Sequence, residues 1–150
     1  MNINYFMNIA KEEAKKAYSL DEVPIGAVLV DNNDNSIICS SHNEVNIQNN
    51  SIKHAEIILI ENACILKKTK ILNDTSIFVT LEPCTMCAAA ISEAQIKRIY
   101  FGAYDDQKGS LESVMKIYNK KGFFVPEIYG GINELECMNL IKNFFKEKRS

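Results

Sequence analysis

Apolar and polar positions change their period along the chain, and the period predicts the elements. Residues 3–19 carry Phe6, Ile9, Ala10, Ala14 and Ala17 at helical spacing, an apolar stripe on one face. Val23 to Val30 (VPIGAVLV) is a nearly unbroken apolar run and predicts a buried strand. Asp31-Asn32-Asn33-Asp34-Asn35 is a cluster of turn formers, and Ser36 to Ser41 (SIICSS) predicts the second arm of a hairpin. Residues 42–53 are polar and irregular. From about Ala55 to Lys68 the chain is apolar over most of a helical circumference, as a buried helix would be. Ile77 to Leu81 predicts a strand, Cys84 to Ala94 a helix of small residues that can approach a sheet closely, and Arg98 to Gly102 another strand. Tyr104 to Ser110 reads as a loop, 111–118 as a short helix, and Glu127 to Tyr129 as a short strand before Gly130-Gly131. A last helix over about 134–148 has the stripe Leu135, Met138, Ile141 and Phe145, with Asn133 as its expected N-cap and Glu136 three residues on. Strands alternating with helices predict an α/β sandwich with helices on both sheet faces.

Length and composition narrow this picture. A chain of 150 residues fits one domain, 1–150, and 47% hydrophobic with 24% charged residues is an ordinary globular balance. A chain this long buries about two-thirds of its unfolded surface, so it needs no disulfide or metal merely to fold. Its formal net charge of −2 excludes a chain that is basic all over, but leaves room for a local basic patch. No uncharged apolar run approaches the ~18 residues of a membrane helix. The start, MNINYFMNIAKEEAKK, lacks a basic segment followed by an apolar stretch, so no signal peptide and a cytoplasmic location are expected.

The five cysteines are an odd count without an export signal, which argues against a disulfide framework. Cys39, Cys64 and Cys137 lie in apolar segments and read as small core residues. Cys84 and Cys87 differ, forming a C-x-x-C pair directly after Pro83.

Two short segments carry the chemistry, His54-Ala55-Glu56 and Pro83-Cys84-Thr85-Met86-Cys87. Thiolate and imidazole are the ligands zinc prefers. At a helix start both sulfurs can face one point, and the helix N-terminus favours thiolate over thiol. His54 sits at the predicted start of the other buried helix, so two helix starts meeting at one sheet edge would bring His54, Cys84 and Cys87 together. Three protein ligands leave the fourth position that a catalytic zinc keeps for water, and Glu56 is placed to move a proton from that water. Other readings exist for each part. H-x-E alone is common. C-x-x-C alone can be redox-active, though it lacks a thioredoxin-like setting here. A closed structural zinc site would need a fourth ligand, for which His42, Cys39 and Cys64 are candidates, though none has finger-like spacing. H-x-E followed by P-C-x-x-C behind a strand is the signature of zinc deaminases acting on nucleobases.

The chain resembles the cytidine-deaminase-like superfamily, and within it the bacterial tRNA-specific adenosine deaminases. The resemblance runs from about Phe6 to Arg149. It is carried by EVPIGAVLV (22–30), HNEV (42–45), HAEI (54–57), VTLEPCTMCAAAI (79–91), RIYFGAYDDQKGS (98–110) and the tail EIYGGI…FFKEKR. It implies a three-layer α/β/α sandwich around a central mixed five-stranded sheet. It also implies one Zn2+ per subunit on His54, Cys84 and Cys87, with Glu56 as proton shuttle. Zinc-activated water would attack C6 of the wobble adenosine of a tRNA anticodon, normally in an arginine tRNA, to give inosine and ammonia. Asn43 would contact the flipped base with the Ala55 backbone beside it, and the family acts as a homodimer whose site for the anticodon stem-loop spans both subunits. Two segments depart from the family: Asn50-Ser51-Ile52-Lys53 stands where D-P-T-A is common, and His42 where an aromatic often precedes the base-binding Asn.

With net charge −2, RNA binding has to come from local charge and stacking. The tail offers Lys142, Lys146, Lys148 and Arg149 beside Phe144 and Phe145. On a helix the two rings point about 100° apart, so one can face the core and the other a base; both can also be core. Lys108 is a second candidate phosphate contact, and Asp105 a candidate for shaping its loop around a flanking nucleotide. His42 is expected beside the pocket rather than on the metal. Two other functions stay open. One is a zinc deaminase of a free guanine- or cytosine-type base or nucleotide. The other is a zinc or RNA-binding module without catalysis, for which Glu56 would have no use.

Overall fold

The computed structural model describes residues 1–149. Helix α1 (Ile3–Ser19) is capped by Asn2, whose side-chain oxygen accepts the Tyr5 N–H at 3.1 Å. Strand β1 (Gly26–Asp31) starts later than its apolar run, because Pro24 has no N–H and the Ile25 N–H turns back to the Val23 carbonyl at 2.8 Å. Asp31 and Asp34 fold the hairpin turn by accepting the N–H groups of Asn33 and Ser36, at 2.8 and 3.0 Å, and β2 (Ile37–His42) follows. Then come α2 (Ala55–Lys67), β3 (Thr75–Leu81), α3 (Thr85–Glu93), β4 (Arg98–Ala103), β5 (Glu127–Tyr129) and α4 (Glu134–Arg149).

The strand order is β2-β1-β3-β4-β5. β1 runs antiparallel to β2 and β3, while β3, β4 and β5 are mutually parallel, so the sheet is mixed. Side chains alternate across it. Ala27, Leu29, Ile77 and Val79 meet Leu59, Ala88 and Ile91 of α2 and α3 on one face. Val28, Val30 and Phe78 meet Phe6, Met7 and Ala10 of α1 and Cys137 of α4 on the other. Both faces are covered, which is why β1 and β3 read as continuous apolar runs. This is the α/β/α sandwich expected. All five thiols are free, Cys137 is buried, and Cys39 and Cys64 pack against the core below α2. No described helix is long and apolar enough to cross a membrane.

Two local expectations fail for physical reasons. Residues 111–118 form turns, with one 3-10 turn at Ile117–Asn119. Glu82 accepts the N–H groups of Leu111, Glu112 and Ser113, but the chain beyond them does not wind on: the Val114 and Met115 N–H groups return to the Gly109 carbonyl, the Ile117 N–H returns to the Ser110 carbonyl, and Lys116 turns left-handed at φ 47°. Asn133 sits at φ 54°, not in the extended backbone of an N-cap, and caps α4 only through its carbonyl, which accepts the Cys137 N–H at 3.1 Å.

The register brings Gly26 opposite His42 and Ala27 opposite Val79. The ends of β2 and β3 therefore lie at one end of the sheet, where α2 and α3 begin. At Gly26 α1 crosses β1 so closely that an added Cβ would run into the Ala10 carbonyl and the Ala14 N–H. Gly26→Ala is expected to lower stability by about 1–3 kcal/mol, read as a lower urea midpoint with an unchanged slope.

Candidate active site

His54 is the N-cap residue of α2 and Cys84 that of α3, both in extended backbone and neither using its side chain as a cap. Their side chains are thereby free to turn toward each other. Cys87, one turn into α3, completes the cluster: His54 Nδ1 lies 3.7 Å from Cys84 Sγ and 3.5 Å from Cys87 Sγ. The three donor atoms all lie within 4.8 Å of one another, a spacing that can hold one metal ion.

The cluster is electrostatically prepared for a cation. A hydrogen bond from the Cys87 thiol, helped by His54, pulls the Cys84 thiol down to about 4. The thiolate formed there in turn raises His54 and, with burial, strongly raises Cys87. One negative sulfur thus shares the proton-bearing donors of its neighbours, and a divalent ion can replace those protons. Two sulfurs and one imidazole suit zinc, and three ligands leave a position open. The candidates for a fourth ligand lie elsewhere. Cys39 Sγ faces the Leu59 carbonyl at 3.6 Å, Cys64 packs against the core from the later half of α2, and His42 Nδ1 is 3.5 Å from Glu13 of α1.

Glu56 is buried in the first turn of α2, and that burial pushes its carboxyl up to about 7. A cavity of about 950 Å³ opens onto His54, Glu56 and Cys84. Asn43 lines it, with its Oδ1 accepting the Ala55 N–H at 2.8 Å. Since only the oxygen can accept that proton, the group Asn43 has left for a ligand is its NH2. The Ala55 backbone is engaged within the protein on both sides, its carbonyl accepting the Ser41 hydroxyl at 2.6 Å, so Ala55 is a holder of Asn43 and not a cavity residue. Asp105 and Lys108 line the cavity too, and Asp105 Oδ1 accepts the N–H groups of Gln107 and Lys108 at 3.0 and 3.1 Å, which shapes the loop.

The two tail aromatics part company. Phe145 lines the cavity with Lys142, Lys146 and Arg149. Phe144 does not: it is buried edge-on against Tyr18 of α1, with ring centroids 5.6 Å apart, because the helical turn between neighbours sends it inward. Lys148 sits over the Phe144 ring and pairs with Asp21, away from the cavity lining.

Two carboxylates escaped the sequence reading. Glu82, 2% exposed, accepts the N–H groups of Asp105, Leu111, Glu112 and Ser113 at 2.8–3.1 Å, and the Ser113 hydroxyl. Glu22, fully buried, accepts those of Asn46 and Ile47 at 3.0 and 2.7 Å. The available signal was an acid at each border of a buried strand, Glu22 before VPIGAVLV and Glu82 after IFVTL.

The sequence profile of the cytidine and deoxycytidylate deaminase zinc-binding region matches residues 1–103. The tRNA-specific adenosine deaminase of Rickettsia felis is 47% identical, covering 95% of this chain and 100% of that protein. The tRNA-specific adenosine deaminase of Bacillus subtilis is 39% identical over 96% of this chain and 89% of its own. A structure solved in a study of A-to-I editing by tRNA deaminases at the wobble position of transfer RNA superposes with a TM-score of 0.87. It is 42% identical and covers 91% of this chain and 98% of that one.

Burial acts to raise the Glu82 carboxyl, but the Ser113 hydroxyl and the converging N–H groups outweigh it and hold the group below its ordinary range. A depressed carboxyl stabilises the fold above its unfolded pKa of about 4.3 and loses that contribution as pH falls through the folded value. Glu82→Gln is therefore expected to cost about 1–3 kcal/mol at pH 7, with the gap to the parent protein narrowing below pH ~4. Urea midpoints measured at both pH values check this.

Proposed function

On the premise that this chain belongs to the tRNA-specific adenosine deaminases, within the zinc-binding cytidine and deoxycytidylate deaminase class, we propose that it converts the wobble adenosine of a tRNA anticodon to inosine and ammonia. The observation that carries the proposal is the three-donor cluster facing a cavity that also holds a buried carboxylate. We read the whole chain as one deaminase domain, acting in the cytoplasm where tRNA is found. An arginine tRNA is the proposed substrate, on the family resemblance.

His54, Cys84 and Cys87 hold the zinc, which when bound supplies the Lewis acidity that makes water a nucleophile near neutral pH. Glu56 takes a proton from the attacking water and hands it to the departing amine of C6. Its carboxyl, pushed up to about 7, is balanced between accepting and releasing that proton. Asn43, fixed through Ala55, turns its NH2 toward acceptors of the flipped base. Phe145 offers a ring on which a neighbouring base stacks, and Lys108, Lys142, Lys146 and Arg149 give the acidic chain a local basic rim for phosphates. The family's homodimer suits the exposed Ile65 and Leu66 on α2, 74% and 61% accessible.

Incubating zinc-loaded protein with an arginine tRNA bearing a wobble adenosine should give inosine, read by nucleoside chromatography. No inosine, or turnover of free guanine or cytosine instead, would overturn the assignment. Glu56→Ala should keep its zinc and fold while turnover drops by roughly 10²–10⁴-fold. Cys84→Ser and Cys87→Ser should each lose metal by elemental analysis; full occupancy in both would contradict the ligand set.

A further inference from the structure

Proton transfer at the site uses one carboxylate, Glu56, yet two more are sealed into the cavity lining, Glu22 and Glu82. Among the described residues neither forms an ion pair. Each is aimed at the backbone of a loop. Three successive N–H groups, of Leu111, Glu112 and Ser113, converge on Glu82 Oε2, while the Asp105 N–H reaches Oε1. Successive amides converging in this way form an anion nest, and the anion here is the chain's own side chain. Glu22 gathers the Asn46 and Ile47 amides of the loop that begins with Asn43.

Both loops are also referenced to the metal cluster. Glu82 directly precedes Pro83 and Cys84. The Pro83 carbonyl accepts the Ser110 N–H at 2.9 Å, and the Thr85 and Ser110 hydroxyls meet at 2.6 Å. On the other loop, Asn43 is tied to Ala55, next to His54. Gly109 is the position that lets the 104–113 loop close on Glu82: a Cβ there would collide with the Glu82 carboxylate and the Asp105 carbonyl.

We propose that Glu22 and Glu82 are positioning residues, each holding one of the two loops that line the cavity in the shape that receives the RNA around the reacting base. The proposal rests on the tRNA deaminase reading for its substrate. Neither carboxylate touches the reacting atoms; both act through backbone. Their effect therefore falls on substrate binding. Loops ordered during folding need not be ordered at the expense of binding energy.

The test uses full-length, zinc-loaded protein and an anticodon stem-loop RNA with a wobble adenosine. Glutamine keeps the shape of glutamate but turns an acceptor oxygen into an NH2 facing N–H groups. Glu82→Gln and Glu22→Gln are each expected to raise KM roughly tenfold or more, with kcat within about threefold and zinc content unchanged. Gly109→Ala, which keeps the carboxylate but removes its room, should give the Glu82→Gln signature, and the two together should be no worse than the stronger one alone. Hydrogen exchange should lose protection at Leu111 to Ser113 in Glu82→Gln and at Asn46 and Ile47 in Glu22→Gln. A KM within twofold of the parent in folded, zinc-loaded variants overturns the proposal for that loop, as does a fall in kcat and zinc without a change in KM. If the parent itself makes no inosine in the stem-loop, the functional reading fails instead, and unchanged exchange at those amides would still overturn the loop assignment.

Discussion

Everything at the site depends on two helices starting at the same point. Where the ends of β2 and β3 lie together, α2 and α3 begin with His54 and Cys84, and each N-cap side chain is left unused as a cap. An N-cap residue stands in extended backbone, outside the helix, so its side chain can turn across to the neighbouring helix start. The positive ends of two helix dipoles then surround a sulfur that is already held as thiolate by its neighbours. A cluster of this kind is costly without a cation, because protons have to be shared among buried donors, and the same sharing makes it receptive to one.

The rest of the fold protects that convergence. β1 and β3, at the centre of the sheet, are covered on both faces, and β3 leads directly to Cys84. The close crossing of α1 at Gly26 locks the first strand against the helix that also supports Phe144. Above this scaffold the cavity is bounded by loops and by α4, and the loops are not loose. Buried carboxylates pair loop amides that no helix or strand pairs, which fixes irregular backbone in place. The chain's acidic balance is also distributed with purpose. Two acids, Glu22 and Glu82, are buried holders of backbone, while Lys142, Lys146 and Arg149 gather at the cavity.

The alternating helices and strands, the two helix starts and the metal-binding triad were legible in the sequence, because each is written in local terms. Helical stripes and apolar strands have their own periods, and P-C-x-x-C has the spacing of one helical turn. The sheet's mixed character came from the family resemblance. What was misread involves partners distant in sequence. The stretch 111–118 has a helix-like pattern, but Glu82, some thirty residues earlier, pins its first three amides, and the residues beyond fold back onto the Gly109 and Ser110 carbonyls. Asn133 has the composition of an N-cap but takes left-handed backbone at the start of α4.

The sequence by itself determined which atoms can bind a soft divalent ion and which carboxylate lies beside them, since ligand chemistry belongs to residue types and their spacing. Only the tertiary structure decided which of Phe144 and Phe145 reaches the cavity, that the Ala55 amide serves Asn43, and that Glu22 and Glu82 hold loops. Those outcomes depend on what each side chain meets after folding. A phenylalanine, an amide or a glutamate is the same in sequence whether it faces solvent, core or another stretch of backbone.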